Sequence, residues 1–433
     1  MLYRIIFILI LSQTFLLGQS LFNRWVGTDP FTGSARSTAI GHTHLLNSSG
    51  SSNVRFNPAN LSSLESKLTF DMQWDRSTIF ERWSMPVRDF FGDFLTEADY
   101  VANEFTYHGF RGGLSYNLNI LNLGKVGIGI YHAPLTNFTY QYSEEVRGTY
   151  DPDDGEYASK DPIVGYQNII IDGAPMVSSV GCGIKMRFLG DINLRLGGSI
   201  NFIQSSMISD RVEVDTLYAD VTNLTTVPDI DVSAQLPNTD YMAISTILNL
   251  TPNMELGVSW EGKAMIITNQ SSLLINDATG LFQYFDDDEN YMVSGLNYVK
   301  PEIRSIAMSI NSDIEKMLSI NFEANQISYD DHLNLKDYKQ FKFGFEYITQ
   351  MGTPIRGGLV YRTAYIPALK PVSMFTFGTG KTWQKLSIDV AGTYCFQSFD
   401  YPDLFVVEGD DREDFDLVRD SQFDLQLALT YHF

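Results

Sequence analysis

Residues 421–433 read Ser-Gln-Phe-Asp-Leu-Gln-Leu-Ala-Leu-Thr-Tyr-His-Phe. Phe423, Leu425, Leu427, Leu429, Tyr431 and Phe433 occupy one phase; Gln422, Asp424, Gln426, Ala428, Thr430 and His432 occupy the other. Successive strand side chains face opposite sides of a sheet, so this segment is a strand with one apolar and one wet face. Such a strand fits a soluble sandwich as well as a membrane barrel, and the rest of the chain decides between them.

The first twenty residues carry a single charge, Arg4, followed by an apolar run from Ile5 to Leu17 and then Gly18-Gln19-Ser20. This is the layout of a cleaved secretory signal peptide, residues 1–20, with an apolar stretch too short to span a bilayer. The competing reading, an uncleaved anchor, lacks a following stop-transfer pattern. No later apolar run approaches the roughly 20 residues that a membrane helix needs. As the last strand of an exported chain, ending on Phe, residues 421–433 resemble the closing strand of a bacterial outer-membrane β-barrel.

Composition agrees. The chain has 30 basic and 52 acidic residues, a balance that argues against nucleic acid or an anionic membrane surface as partner. Aromatic content of 13% suits the interfacial girdles of barrels. Mean hydropathy close to zero fits an integral membrane protein only where half of each strand faces water. Cys182 falls in an outward phase and Cys395 in an inward one, so the two cysteines are not a disulfide pair.

About fourteen alternating segments follow residue 66, near 66–74, 106–119, 125–142, 176–188, 192–209, 239–250, 254–268, 302–311, 317–329, 339–349, 354–365, 372–379, 384–398 and 421–433. Tight connections alternate with long ones, the rim pattern of a transmembrane barrel whose long loops face outside. Apolar residues such as Phe70, Met72, Ile200, Phe202, Phe341, Phe343 and Phe345 share the outward phase. The opposite phase holds Asp71, Arg111, Lys185, Arg187, Arg195, Glu255, Glu261, Glu323, Lys342, Glu346, Arg356, Arg362, Asp389 and Asp424. An Arg or Lys facing lipid at mid-depth costs about 2–4 kcal/mol, so these belong in the lumen. Seven are basic and seven acidic, a balance that favours structural pairing around a plug over an ion-selective ring.

The acidic excess gathers in the long connections: Asp151, Asp153 and Asp154; Asp286, Asp287, Asp288 and Glu289; Asp403, Glu408, Asp410, Asp411, Glu413, Asp414 and Asp416. None keeps a full calcium-loop spacing. Solvated loops are the first reading, and divalent cations shared with lipid head groups the second.

Between the leader and the first strand lie Gly33-Ser34-Ala35-Arg36-Ser37-Thr38-Ala39-Ile40-Gly41 and Asn57-Pro58-Ala59-Asn60-Leu61. Together these resemble the N-terminal signature of the FadL/PorV superfamily of outer-membrane barrels. Ile40 stands where the family often has Met, His42-Thr43-His44 replaces smaller residues, and Asn60 takes a usual Gly position. The resemblance implies fourteen strands and an N-terminal segment, residues 21–65, folded inside a barrel of residues 66–433 as a plug. FadL-branch members admit long-chain fatty acids or aromatic hydrocarbons; PorV-branch members act in type IX secretion. Pro58 pushes Asn57 toward extended backbone, and Asn57 can cap neighbouring backbone in a closed lumen. Asn57, Pro58 and Ala59 are thus either a loop-to-strand turn or a gating element.

Val87, Phe90, Phe91, Phe94, Leu95, Ala98 and Val101 recur at three and four residues after Pro86, which predicts an outer helix. Packed on the rim, its stripe is structural; exposed, Phe90, Phe91 and Phe94 would capture an amphiphile. No catalytic or phosphate-binding motif is present, no enzyme activity or cofactor is expected, and His42 with His44 supplies too few ligands for a metal site. The sequence therefore predicts an all-β transmembrane antiparallel barrel in the bacterial outer membrane, in contact with membrane lipid and lipopolysaccharide. The leading function is passive uptake of hydrophobic small molecules. The alternatives are a PorV-like accessory that binds secretion-system proteins and a purely structural barrel.

Overall fold

The computed structural model describes residue 21 and residues 27–28, 33–120, 124–147, 163–189, 192–217, 230–267, 297–312, 317–329, 335–365, 369–405 and 415–433. The leader at 1–20 and most of the acidic connections lie outside the described residues.

Short helices come first: α1 (Ala35–Ala39), α2 (His44–Asn47) and α3 (Asn53–Phe56), with 3₁₀ turns at Gly50–Ser52 and Pro58–Ser63. The strands follow: β1 (Leu68–Arg88), β2 (Phe94–Ile120), β3 (Gly124–Pro134), β4 (Tyr140–Arg147), β5 (Ile163–Asp172), β6 (Met176–Leu189), β7 (Ile192–Ile203), β8 (Ser206–Thr216), β9 (Ile230–Leu236) and β10 (Thr239–Thr251). The second half holds β11 (Met254–Glu261), β12 (Ala264–Ile267), β13 (Asn297–Lys300), β14 (Glu302–Asn311), β15 (Leu318–Ser328), β16 (Tyr338–Ile348), β17 (Pro354–Arg362), β18 (Val372–Trp383), β19 (Leu386–Tyr401) and β20 (Asp416–His432).

Fourteen of these form a closed antiparallel barrel in the order β1-β2-β3-β6-β7-β10-β11-β14-β15-β16-β17-β18-β19-β20. The C-terminal strand performs the closure: Phe70 pairs with Tyr431, Met72 with Leu429 and Trp74 with Leu427. Closure satisfies every backbone group that an open edge would leave bare in hydrocarbon. The outward phase is apolar as the alternation requires, with Phe70, Ile200, Phe202, Phe341, Phe343 and Phe345 all exposed on the outer wall.

The connections hold more structure than their sequence announces. Strands β4, β5, β8 and β9, from two of the long connections, pair into a four-stranded outer sheet, and β12 pairs with β13. The connection at 75–105 is no loop but the upper part of the β1–β2 hairpin. The helix expected over 87–101 is absent. Arg88 ends β1, the Asp89 carboxylate accepts from the Phe91 and Asp93 N–H groups at 2.9 Å, and Phe94 opens β2. Pairing decided this: β1 is held by β2 on one side and by β20 up to Ser84–Leu417 on the other, and tertiary partners override a local helical period. The apolar stripe is consequently split, with Val101 buried and Phe90, Phe91, Phe94 and Leu95 exposed.

Candidate functional site

The inner segment of residues 34–63 lies within the barrel, against the inward faces of β3, β6, β7, β10, β18 and β19. Its fit depends on wall residues without side chains. On the row shared by Gly127, Gly183 and Gly197, a Cβ would fall on the Leu61 carbonyl, the Pro58 carbonyl and the Ala59 nitrogen respectively. On the opposite wall, Gly344 and Gly358 meet Ile40 and Gly41 in the same way. Glycine inside a strand marks close approach of another backbone, and here that backbone is the inner segment. Gly41 itself has φ 69° and touches the Phe343 carbonyl, so no other residue suits this turn.

Polar wall groups complete the seat. The Ala35 N–H donates to Gln73 Oε1 at 3.1 Å, the Gly41 N–H to Thr376 Oγ1 at 3.0 Å and the Leu45 N–H to Glu323 Oε2 at 2.8 Å. The Ser51 N–H and hydroxyl both reach Asp71, at 2.6 and 2.7 Å, and the Ala59 N–H donates to Ser245 Oγ at 2.9 Å. Arg36 forms an ion pair with Glu346 at 2.7 Å; Glu346 also holds Arg356 at 2.6 Å, which reaches Asp389 at 2.5 Å. Other lumen charges pair among themselves: Arg111 with Asp75, Arg195 with Glu255, Lys300 with Glu261 and Lys342 with Glu323. Most of the balanced inward set is thus engaged in ion pairs or hydrogen bonds, as its composition suggests, and Asp71, Arg195, Glu323 and Glu346 hold the inner segment directly.

Above this segment lies a cavity of about 160 Å³. His42, His44, Leu45, Arg55 and Phe56 of the inner segment bound it below, and the wall lines it with Glu261, Lys300, Glu323, Lys342, Arg362 and Asp424 beside the apolar Leu135 and Ile327. His42 Nε2 is 3.1 Å from Thr393 Oγ1 and His44 Nδ1 is 3.0 Å from Ser37 Oγ. Burial, then the Lys342 ammonium, lowers both imidazole pKa values, His42 to about 3. Both rings are therefore neutral at ordinary pH. Among the described residues no group of three or more His, Cys, Asp or Glu could hold a metal ion.

An aromatic core fills the outer mouth. Trp83 packs edge-on against Tyr142 and Tyr401, with ring centroids 5.5 and 5.8 Å apart, and Tyr142 lies 6.0 Å from Phe405. Tyr140 and Tyr142 come from β4, so one edge of the outer sheet folds over the lumen. Glu81 satisfies the buried polar tips, accepting from Trp83 Nε1 at 2.9 Å and from the Tyr140 hydroxyl at 3.0 Å. Asp416, expected in a solvated acidic loop, is fully buried as the first residue of β20 and accepts from the Tyr100 hydroxyl at 2.8 Å.

The two sequence-predicted groups lie apart. Asn57 donates through Nδ2 to the Leu45 carbonyl and is followed by Pro58 and Ala59 on the glycine seat at mid-barrel. Phe90 and Phe91 stand at the tip of the β1–β2 hairpin, 98% and 85% exposed, with Phe94 beside them. Sequence reasoning missed the Arg36–Glu346 tie, the glycine seat and the aromatic mouth. Glycines inside alternating strands signalled the seat, and the period-two run Phe138, Tyr140, Tyr142 signalled the mouth.

No family model matches the sequence, and no curated protein matches it. Solved structures do match. A FadL homologue from Pseudomonas aeruginosa aligns with TM-score 0.56 and 14% identity over 94% of this chain and 100% of that one. The P. putida toluene transporter TodX aligns with TM-score 0.56 and 12% identity, covering 93% and 99%. The Ralstonia pickettii toluene transporter TbuX gives 0.54 and 14%, covering 93% and 99%. The chain accordingly has the fold of the FadL outer-membrane barrels, the superfamily that residues 33–61 resemble.

Proposed function

We propose that the protein is a passive channel of the bacterial outer membrane that admits hydrophobic small molecules, of the long-chain fatty acid or aromatic hydrocarbon type. The observation that carries this reading is the mouth. A water-filled pore needs a polar lining, whereas this lumen is closed on its outer side by packed aromatic rings. Rings held by dispersion and apolar burial can be displaced by an apolar solute that replaces their contacts, but not by water. The fold shared with a FadL homologue and with toluene transporters supports the same reading. In this scheme Phe90, Phe91 and Phe94 capture the solute outside, and residues 21–65 act as the plug, with Asn57, Pro58 and Ala59 as its gating element.

The exposed Phe90–Phe91 tip also supports a second reading, a PorV-like accessory that offers this hairpin to a secretion-system protein. Unbiased mass spectrometry of small molecules extracted with the detergent-purified barrel separates the two. Enrichment of apolar compounds supports the channel. Their absence, together with co-purification of a large secretion protein, would favour the accessory.

A further inference from the structure

On one side of the outer wall, register alone builds a site unrelated to the lumen. Trp260 of β11 pairs with Arg304 of β14, Arg304 with Gln326 of β15 and Gln326 with Lys339 of β16. All four therefore share one outward row. One step along the strands, Val258, Ile306, Ala324 and Phe341 form the next outward row, about 7 Å away. Val258, Ile306 and Phe341 are 56%, 60% and 50% exposed. The two rows enclose an open groove of about 460 Å³ with its cations at one end and its apolar floor at the other.

The charge layout is specific. Arg304 is held by Glu302 at 2.5 Å yet keeps 68% of its side chain exposed. The exposed Lys339 ammonium has no partner among the described residues. The acids nearest in register, Glu302 and Asp337, sit beyond the basic row on the side away from the apolar floor. Asp337 is occupied by the Ser328 hydroxyl and the Tyr329 N–H, at 2.8 and 3.0 Å. In a chain of net charge −22, two cations thus face the boundary between apolar belt and water. On the taller side of the barrel, by contrast, Arg82 and Arg419 are each paired with acids of β2.

We propose that this groove binds a phosphorylated glycolipid of the outer leaflet, with phosphate on Lys339 and Arg304, a sugar face on Trp260 and an acyl chain along Val258, Ile306, Ala324 and Phe341. A phosphate at the membrane surface is attracted by each basic side chain near it, and the row below supplies the hydrocarbon contact that a soluble anion would not need. The proposal rests on the outer-membrane reading and on its orientation, in which the start of β14 and the end of β15 lie at the outer rim.

The test is binding of purified lipid A to the detergent-solubilised full barrel, before and after enzymatic removal of its phosphates. The wild type is compared with an Arg304→Gln/Lys339→Gln variant and with Ala324→Trp, which fills the floor. The double variant should bind phosphorylated lipid A about 30-fold more weakly and should bind the dephosphorylated lipid as the wild type does. Ala324→Trp should weaken both. Heat-modifiable migration of each variant on gels establishes that its barrel is folded. Equal affinity of the folded double variant and the wild type for phosphorylated lipid A would overturn the site. So would a wild type indifferent to phosphate. Solute uptake by the same variants in vesicles should be unchanged, so loss of the lipid site and failure of the channel reading give different results.

Discussion

At the outer mouth the lumen is filled by rings; at mid-barrel it is filled by backbone. Trp83, Tyr142, Tyr401 and Phe405 contact one another through apolar surface, with Glu81 and Glu144 satisfying their polar tips. Residues 40–41 and 58–61 instead press main chain onto Gly344, Gly358, Gly183, Gly197 and Gly127, and hydrogen bonds fix them there. The upper barrier yields to a solute that offers equal apolar contact. The lower one yields only if several directional bonds break together, since each buried group left unpaired carries its full desolvation cost. In the channel proposed above, such a pair of barriers would select first for apolarity and then for whatever moves the inner segment.

The most severe way to break this contrast is to put side chains on the seat. Gly183→Leu with Gly197→Leu drives two Cβ atoms into residues 58 and 59, and overpacking of this kind costs about 1–3 kcal/mol per site. The inner segment should leave the wall; the rings at the mouth still exclude water, so vesicles should leak small polar solutes that the wild type retains only once Trp83→Ala is added to the pair. A triple variant that stays sealed would show that the segment does not close the lumen. Removing residues 21–65, which also takes Leu21 out of the mouth core, should leave a folded barrel with the same leak, because fourteen strands enclose more space than inward side chains alone fill.

Trp83→Ala attacks the other barrier. Losing a fully buried indole costs about 3–5 kcal/mol, read as earlier thermal unfolding of the mouth, with faster entry of apolar solutes and no polar leak. Glu346→Gln acts between the two in kind but with a smaller effect. Arg356 keeps Asp389 and the Arg36 side chain is 35% exposed, so about 1–2 kcal/mol of docking should be lost. In a Trp83→Ala background, planar-bilayer recordings should show brief openings rather than a permanent leak. The smallest effect belongs to the hairpin tip. Changing Phe90, Phe91 and Phe94 to Ser removes exposed rings, so stability should move by no more than about 0.5 kcal/mol, while uptake of fatty acids or hydrocarbons falls severalfold without leakage.

The wall was legible in the sequence because a strand that faces lipid on one side and a lumen on the other must alternate, and Phe341, Phe343 and Phe345 against Lys342 and Glu346 leave no other phase. The position of the inner segment was legible only through the resemblance carried by residues 33–61. Its seat follows from glycines whose meaning depends on what lies opposite, which no single strand reveals. The hairpin at 87–101 was misread because helical spacing is read along one segment, while its strands exist through the pairing of residues 83–88 with residues 94–101, on a β1 that β20 holds as far as Ser84. The mouth core joins Trp83, Tyr140, Tyr142, Phe399 and Tyr401 from β1, β4 and β19; three strands so far apart in sequence meet only after the barrel has closed.

The difference between the two barriers is tested most directly by the flux of paired solutes into vesicles carrying the intact protein: a fatty acid or an aromatic hydrocarbon, and a polar solute of similar size. The protein should accelerate entry of the apolar solute and leave the polar one excluded, and Gly183→Leu/Gly197→Leu combined with Trp83→Ala should admit both. Equal rates of apolar entry with and without the intact protein, or entry of the polar solute through it, would contradict the account.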